Sequence, residues 1–293
     1  MASTVKANKR LLDSNLLPPC KGPKLHAFAD SGAPITFLEL LERRESYGFQ
    51  AYVFKVLIKS RVYALKVFKF YKPSDGKALL SKMREEMVTD ELAAFHCDPF
   101  YAECRAYGRI EELKKQGIIK RKVAAECYGF LGLRASEEEE INRMGAKLWD
   151  LPKEDDYRKR AEGSPARAIV KEFIEGTTRL GLRTSRHMLQ SLRLLNEHGI
   201  YLRDFKRENY KAGVLLDFGS SWTTPHSIMD SVPDEVAEIW KSADMQMFDD
   251  MLEECNLHFR LRAEPNTRYQ MKLRSWASRN ITTKRGTLSR REP

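Results

Sequence analysis

The chain has 293 residues, of which 42% are hydrophobic, enough for one large two-lobed domain or two ordinary domains. Its net charge of +10 lies at the two ends, since residues 260–293 carry +8, residues 1–34 carry +3 and the remainder carries −1. No apolar run approaches the length of a membrane-spanning helix and the N-terminus has no apolar signal core, so we expect neither a membrane nor a secreted protein.

The first part of the chain predicts a leader followed by a β-rich block. Residues 1–34 are basic and contain several Pro and Gly, which is typical of a flexible segment. Alternating β-branched and aromatic residues at 51–58 and 61–70, separated by two residues, predict a β-hairpin. Residues 72–98 are polar at first and then become helical.

The middle of the chain predicts a helix and two strands. A helix is expected at 99–116, with Gly117 as its stop. Strands are expected at 124–133 and 167–176. Between them, residues 134–166 are charged and show little apolar periodicity, which indicates a surface insertion.

The last part of the chain predicts a small helical unit. Residues 184–200 form an amphipathic pattern that ends at a glycine, and helical pieces follow at about 233–258. We therefore divide the chain after the leader into a β-rich lobe at 35–176, which contains the insertion, a compact helical lobe at 177–259, and a basic tail at 260–293.

One stretch, at 202–219, carries the chemistry. It reads LRDFKRENYKAGVLLDFG, with an Arg-Asp pair, an Asn five residues after the Asp, and Asp-Phe-Gly beginning eight residues after the Asn. A lysine on a strand and a glutamate on a helix precede it, which is the order of a protein-kinase-like fold. The sequence therefore predicts an α+β, two-lobed, protein-kinase-like fold with a β-rich N-lobe and a compact helical C-lobe.

Each polar residue of this stretch has a predicted task in phosphoryl transfer. Asp204 would orient the attacking hydroxyl and accept its proton, a role that is worth roughly 10²–10⁴-fold in rate. Lys206 would neutralise charge on the transferred phosphoryl group. Asn209 and Asp217 would bind Mg²⁺, a hard cation that prefers oxygen ligands. The predicted cofactors are therefore ATP and Mg²⁺.

The β-rich lobe would supply the nucleotide contacts. Tyr63-Ala64-Leu65-Lys66 resembles the Val-Ala-Ile-Lys strand, in which the small Ala64 accommodates adenine and Lys66 reaches the phosphates. Glu103 is the best helical partner for Lys66, although a solvated glutamate fits the pattern equally well. The other predicted cofactor-binding residues are Gly48 and Val53 near the phosphates, and Glu172 and Ile174, whose backbone would bind the adenine edge.

The pattern departs from that of kinases in four ways. Gly48 is the one glycine at the three glycine places of the phosphate-covering loop, and Leu202 replaces the catalytic-loop histidine. Lys171 stands where kinases control access behind adenine, so its ammonium could compete with Lys66 for Glu103. Nothing after Asp-Phe-Gly resembles Ala-Pro-Glu, which leaves little room for a segment that docks a peptide.

Four stretches together resemble one fungal family. They are YALKVFKFY, DPFYAECRAYGRI, RAIVKEF and GIYLRDFKRENYKAGVLLDFGSSWTTPH. They resemble kinase-like proteins of filamentous fungi that form a family of kinetochore subunits, the Fta-two component of the Sim-four complex. The similarity spans about residues 35–230. It implies a kinase-like fold in a fungal nucleus, with kinetochore or chromatin proteins as partners.

Three functions remain open from the sequence: a kinase-like phosphotransferase, a catalytically weak pseudokinase that acts as a kinetochore or chromatin interaction subunit, and a phosphotransferase for a small metabolite. In and just before the tail at 260–293, Phe259, Tyr269 and Trp276 accompany ten cations, which predicts nucleic-acid binding, although a solubilising tail or nuclear-import signal fits as well. Five cysteines without a C-x-x-C pair favour a nuclear or cytoplasmic location.

Overall fold

The structure is a computed structural model, and it describes residues 22–41, 50–77, 88–257 and 261–263. The predicted site residue Gly48 and nearly all of the predicted basic tail lie outside these residues. No helix in the described part of the chain combines the length and the apolar character needed to cross a bilayer.

Five strands form one antiparallel sheet in the order β1–β2–β3–β5–β4. They are β1 (Thr36–Leu40), β2 (Ala51–Ile58), β3 (Arg61–Phe68), β4 (Cys127–Gly132) and β5 (Arg167–Glu172). The predicted hairpin is confirmed, because β2 and β3 pair continuously from Ala51 with Phe68 to Ile58 with Arg61. Its two turn residues, Lys59 and Ser60, both have positive φ, as a tight hairpin turn requires.

Helices make up much of the remaining described chain. They are α1 (Pro73–Lys77), α2 (Asp90–Cys97), α3 (Pro99–Lys115), α4 (Ala135–Arg143), α5 (Asp156–Ala161), α6 (Leu182–Glu197), α7 (Ser227–Asp230) and α8 (Asp234–Glu254). The predicted helix at 99–116 is confirmed as α3. It begins where the Asp98 carboxylate accepts a hydrogen bond from the Phe100 N–H at 2.9 Å.

Two short strand pairs shape the stretch at 202–219. Strand β6 (Ile200–Tyr201) pairs with β9 (Trp222–Thr223), and β7 (Tyr210–Lys211) pairs with β8 (Val214–Leu215). The first pair closes the ends of the stretch, and the second makes a tight hairpin within it. Asp204, Asn209 and Asp217 are thereby brought into one compact loop region.

Both faces of the sheet are covered. On one face Phe68 packs in a core with Phe100 of α3, Met188 of α6 and Phe248 of α8. On the other face residues of the strands pack against residues from the leader and from α4. The protein is therefore a mixed α and β structure built around one sheet, with helices α3, α6 and α8 on one side of it.

The prediction of a flexible leader at 1–34 is wrong for its described part, residues 22–34. Leu25 and Phe28 are buried, and their N–H groups donate to the carbonyls of Cys104 and Phe130 at 3.2 and 2.8 Å. The leader lies so close to α3 that a Cβ on Gly108 would come within 2.6 Å of the Lys24 backbone. Proline and glycine here shape a packed segment rather than a mobile one.

The charged stretch at 134–166 is more than a surface insertion. Its helix α4 buries Ile141 completely against the outer face of the sheet. The acidic side chains also have structural work, since Glu137 accepts from the Arg134 N–H at 2.8 Å and Glu138 from the Ala166 N–H at 2.7 Å. A single buried isoleucine among many charges gave too weak a periodicity to reveal this packing.

Candidate functional site: a charged cleft

A cleft of about 250 Å³ lies between the sheet and the loop region that follows β6. Nine of the predicted site residues line it, namely Val53, Ala64, Lys66, Glu172, Ile174, Asp204, Lys206, Asn209 and Asp217. Glu103 joins the cleft through its contact with Lys66. Residues that are as far apart in the chain as β2 and the Asp-Phe-Gly segment therefore converge on one space.

A network of buried charges forms the inner end of the cleft. The Lys66 Nζ, on β3, donates to Glu103 Oε2 and to Asp217 Oδ1, both at 2.7 Å. Lys66 is 5% exposed and Glu103 is fully buried. Burial lowers the pKa of Lys66, but the charges of Asp217 and Glu103 outweigh it and raise that pKa above its usual value.

Asp217 stays ionised for the same reason. Burial raises its pKa, but the ammonium groups of Lys66 and Lys171 and the Gly219 N–H hold that pKa well below its usual range. The Gly219 N–H and Lys66 both donate to Oδ1, at 2.7 Å each. Oδ2 receives no hydrogen bond from the described residues, so it remains free to bind a cation.

Lys171, from β5, completes this network. Its Nζ donates to Glu103 Oε1 at 2.6 Å and to the Leu216 carbonyl at 2.7 Å. Lys171 thus reaches Glu103, but it takes the oxygen that Lys66 leaves, so the two ammonium groups share the carboxylate instead of competing for it. The contact with Leu216 also fixes the backbone beside Asp217.

The outer end of the cleft is more open. The Lys206 Nζ donates to Asp204 Oδ2 at 2.6 Å, and both side chains are about half exposed. A short 3₁₀ turn at Arg207–Asn209 brings Asn209 back toward the start of the loop. There its Nδ2 donates to the Asp204 carbonyl at 2.7 Å. Since the amide nitrogen is used in this way, Oδ1 is the atom of Asn209 that can bind a metal ion.

Asp244, which was not predicted from the sequence, fixes the backbone at the start of the loop that contains Asp204. It lies fully buried on α8 and accepts the N–H groups of Leu202 and Arg203, each at 2.7 Å. Arg203 has a positive φ of 61°, so the loop needs such support. The available signal was the position of Asp244, four residues before Phe248 and seven before Met251 on the apolar face of the helix.

Two arginines of α3 fix the segment that follows Asp-Phe-Gly. Arg105 donates to the carbonyls of Thr223 and Pro225, the latter at 2.5 Å, and Arg109 donates to the Thr224 carbonyl at 2.9 Å. The sequence blocks DPFYAECRAYGRI and DFGSSWTTPH therefore contact each other. Both arginines were inside a block that the sequence reading singled out, but nothing in the sequence indicated their backbone partners.

Two buried histidines complete the packing around this segment. His96 accepts a hydrogen bond from Arg105 at its Nδ1, and His226 stacks on Trp222 with ring centroids 4.5 Å apart. Burial and the nearby Arg105 guanidinium lower the pKa of His96 to about 3. Burial and neighbouring His96 likewise hold the pKa of His226 well below its usual value. Both rings are therefore neutral in the folded protein near pH 7.

With this geometry established, sequence comparison assigns the family. Residues 14–222 match the family described as Kinetochore Sim4 complex subunit FTA2, which is well over half of the chain. The chain belongs to this family. The match includes the charged cleft, both arginines of α3 and most of the packed leader, and it confirms the resemblance seen in the sequence.

Other comparisons add little to the FTA2 family assignment. No curated protein sequence matches the chain. Among solved structures, that of vaccinia related kinase 3 is similar at 13% identity with a TM-score of 0.35, and the match covers 72% of this chain and 54% of the other. This chain thus spans about half the length of that structure, and so weak a match assigns no fold.

Proposed function

We propose that the cleft binds ATP with Mg²⁺ in a two-lobed, protein-kinase-like fold, and that the chain is a kinase-like subunit of a kinetochore complex. The observation that carries the proposal is the convergence of Lys66, Asp204, Asn209 and Asp217 on one cleft. Phosphoryl transfer needs positioned cations and a base more than any other device, and this cleft assembles both.

The inner walls of the cleft suit a nucleotide base. Val53, Ala64 and Leu216 line it with apolar surface. The Glu172 N–H is already donated to the Glu126 carbonyl at 2.8 Å, so it is not available to adenine. The Ile174 N–H makes no hydrogen bond with the described residues, and it is the donor that we expect to bind the base edge.

The polar end of the cleft suits phosphates and a cation. Lys66 has its ammonium group between Glu103 and Asp217, from where it can turn to a phosphate oxygen. Asn209 Oδ1 and Asp217 Oδ2 supply two oxygens for Mg²⁺. Among the described residues no group of three or more His, Cys, Asp or Glu side chains could hold a metal ion alone. Two protein oxygens completed by phosphates and water are the usual magnesium site of such enzymes.

Asp204 is the group that would act on the acceptor. Its half-exposed carboxylate can accept the proton of an attacking hydroxyl, while Asn209 fixes its backbone and Lys206 places a positive charge beside it. The bound nucleotide would supply the phosphoryl group. We expect transfer to a hydroxyl at the open end of the cleft.

A second candidate is an interaction subunit that binds nucleotide without turnover. The clamp of Arg105 and Arg109 on residues 223–225 favours it, because a segment whose carbonyls are held by α3 is not free to pair with a substrate peptide. The same clamp is compatible with a small hydroxyl compound as the acceptor. The family supports kinetochore proteins as partners and the nucleus as the location under each candidate.

A thermal-shift titration with Mg²⁺-ATP tests the binding proposal. At a ligand concentration of 100 times Kd, binding stabilises the folded state by about 2.7 kcal/mol, so the unfolding midpoint should rise for the wild type. Asp217→Asn should lose this rise, whereas Asp156→Asn, which changes an exposed carboxylate on α5, should keep it. A wild type whose midpoint does not respond to Mg²⁺-ATP rules the proposal out.

Turnover then separates the candidates. Asp204→Asn should keep the thermal shift and lose ADP formation if the protein is a catalyst. A wild type that binds Mg²⁺-ATP but forms no ADP with protein or small-hydroxyl acceptors supports the interaction subunit. Lys171→Met should weaken the thermal shift, because Glu103 and the backbone beside Asp217 lose a partner.

A further inference from the structure

Helix α6 presents an exposed face on which three of the side chains are arginines. Its buried face contains Met188, Leu192 and Leu195, which pack in the core. Its exposed face, at intervals of three and four residues, contains Arg183, Arg186, Gln190 and Arg193, and it ends at Glu197, the last residue of the helix. These residues form a single stripe along the helix, since side chains at such spacing are neighbours.

A neighbouring loop extends this stripe. Arg121 donates from its NH1 to the Gln190 Oε1 at 2.7 Å, so the loop that follows α3 lies against the exposed face of α6. Lys120 is exposed beside it. We refer to Lys120, Arg121, Arg183, Arg186 and Arg193 as the basic face.

The cations of the basic face have no carboxylate partners among the described residues. Residues 176–196 contain four arginines and no Asp or Glu, and residues 113–125 contain five Lys or Arg and no acid. Lys114 and Lys122 in that loop do find partners, in Glu126 and Glu172. Two cations of the loop are therefore paired, whereas those of the basic face have no ion pair with the described residues.

Helix stability does not explain this arrangement. Arg183 is the second residue of α6, and the first turn contains no acidic side chain. The positive end of a helix dipole disfavours cations at this position. A bound polyanion would reverse that unfavourable interaction.

The basic tail starts at the same place. Arg193 donates from its NH2 to the Ala263 carbonyl at 2.8 Å, and Ala263 is the last described residue. Residues 264–293, which follow it, carry eight Lys or Arg and two Glu. The last described residue therefore lies beside the basic face, and eight cations follow it in the sequence.

We propose that the basic face binds the phosphate backbone of duplex DNA. A polyanion is the complement of unpaired cations in a row. Single-stranded nucleic acid is bound through exposed aromatic side chains, and the exposed face of α6 has none. A protein partner would need an apolar centre, whereas α6 and the loop after α3 have one well-exposed large apolar side chain each among the described residues, Leu182 and Ile118. This proposal does not depend on nucleotide binding in the cleft.

The test compares two triple variants of the full chain. Lys120→Gln, Arg183→Gln and Arg186→Gln together remove three charges from the basic face. Lys147→Gln, Lys153→Gln and Arg160→Gln remove three exposed charges around α4 and α5, so that net charge and the tail are matched. Binding is measured by fluorescence anisotropy with a labelled duplex of about 30 mixed-sequence base pairs at about 50–200 mM salt.

We expect the basic-face variant to bind at least about tenfold more weakly, and most so at low salt, and to reduce the magnitude of the slope of log K against log salt by about 3, as three fewer phosphate contacts require. The control should match the wild type. If the triple variant does not fold, Arg186→Gln alone should lower the slope by about 1. Equal slopes in all variants overturn the proposal. So does tighter, face-dependent binding of a single strand or of poly-glutamate.

Discussion

The two ends of the cleft use charged side chains in opposite ways. At the inner end Lys66, Glu103 and Lys171 are buried, and the two ammonium groups both donate to the Glu103 carboxylate. At the outer end Asp204 and Lys206 are about half exposed and share a single ion pair. Breaking a buried ion pair of the first kind is costly, whereas an exposed ion pair of the second kind contributes little to stability.

Removing the charge at the centre of the inner network should have the largest effect. Glu103→Gln leaves two buried ammonium groups without their shared carboxylate, and breaking a buried pair in this way costs about 3–5 kcal/mol of unfolding free energy. Urea denaturation measures it. Glu112→Gln, a partly exposed position on the same helix, is the matched control. A loss no greater than that of the control would show that the inner charges are not structural.

The pH dependence of stability tests a second kind of buried group. The buried charges of the inner end stay ionised, whereas the buried histidines near the segment after Asp-Phe-Gly are neutral. His96 has a usual pKa of 6.5 and a folded pKa of about 3, so the unfolded chain takes up a proton first as pH falls. Its contribution to stability is complete above about pH 6.5 and is lost progressively below it, by about 2 kcal/mol at pH 5.

Urea denaturation at several pH values checks this expectation. His96→Asn keeps an acceptor for Arg105 and should lose less stability between pH 7 and pH 5 than the wild type does. His26→Asn, at an exposed position, should follow the wild type. If His96→Asn and the wild type lose stability in parallel, His96 is not buried as a neutral ring.

We expect the loop at the outer end to be stabilised by Asp244 of α8 more than by the ion pair between Asp204 and Lys206. Asp244→Asn keeps one acceptor for the Leu202 and Arg203 N–H groups and loses the negative charge. We expect a loss of about 1–2 kcal/mol in unfolding free energy, because hydrogen bonds to charged groups are the stronger ones. Asp250→Asn, an exposed position on α8, serves as the control in the same urea titration. An equal response at both positions would remove Asp244 from its positioning role.

The smallest effect on stability is expected from Lys206→Ala. An exposed ion pair contributes about 0–1 kcal/mol, so urea denaturation should detect little change. Under the proposed function the same variant should lower phosphoryl transfer by about 10²-fold, because it removes a cation beside the reacting group. A large loss of stability would place Lys206 with the structural charges of the inner end, against the comparison drawn above.

The sequence allowed the cleft to be predicted better than its supports. Lys66, Glu103 and Asp217 could be predicted to meet because their order and spacing match a known constellation, and the structure brings them within hydrogen-bond distance. The support from Asp244 and the packing of the leader could not be predicted. These contacts are made to backbone atoms by residues distant in the chain, and a backbone carbonyl or N–H leaves no trace in the sequence.

The bounds of elements were also only partly predictable. The strand expected at 167–176 ends at Glu172, which lines the cleft. Apolar residues continue to Ile174, so the composition did not indicate that the strand would end at Glu172. The predicted lobe boundaries at 35–176 and 177–259 stay predictions.

Seven consecutive residues of helix α3, at 103–109, contact three different parts of the protein. Glu103 faces the lysines, the Cys104 carbonyl and Gly108 meet the leader, and Arg105 and Arg109 hold the segment after Asp-Phe-Gly. We therefore expect α3 to stay in place. A movement that separated Glu103 from the two lysines would also break the contacts of α3 with the leader and with the segment after Asp-Phe-Gly.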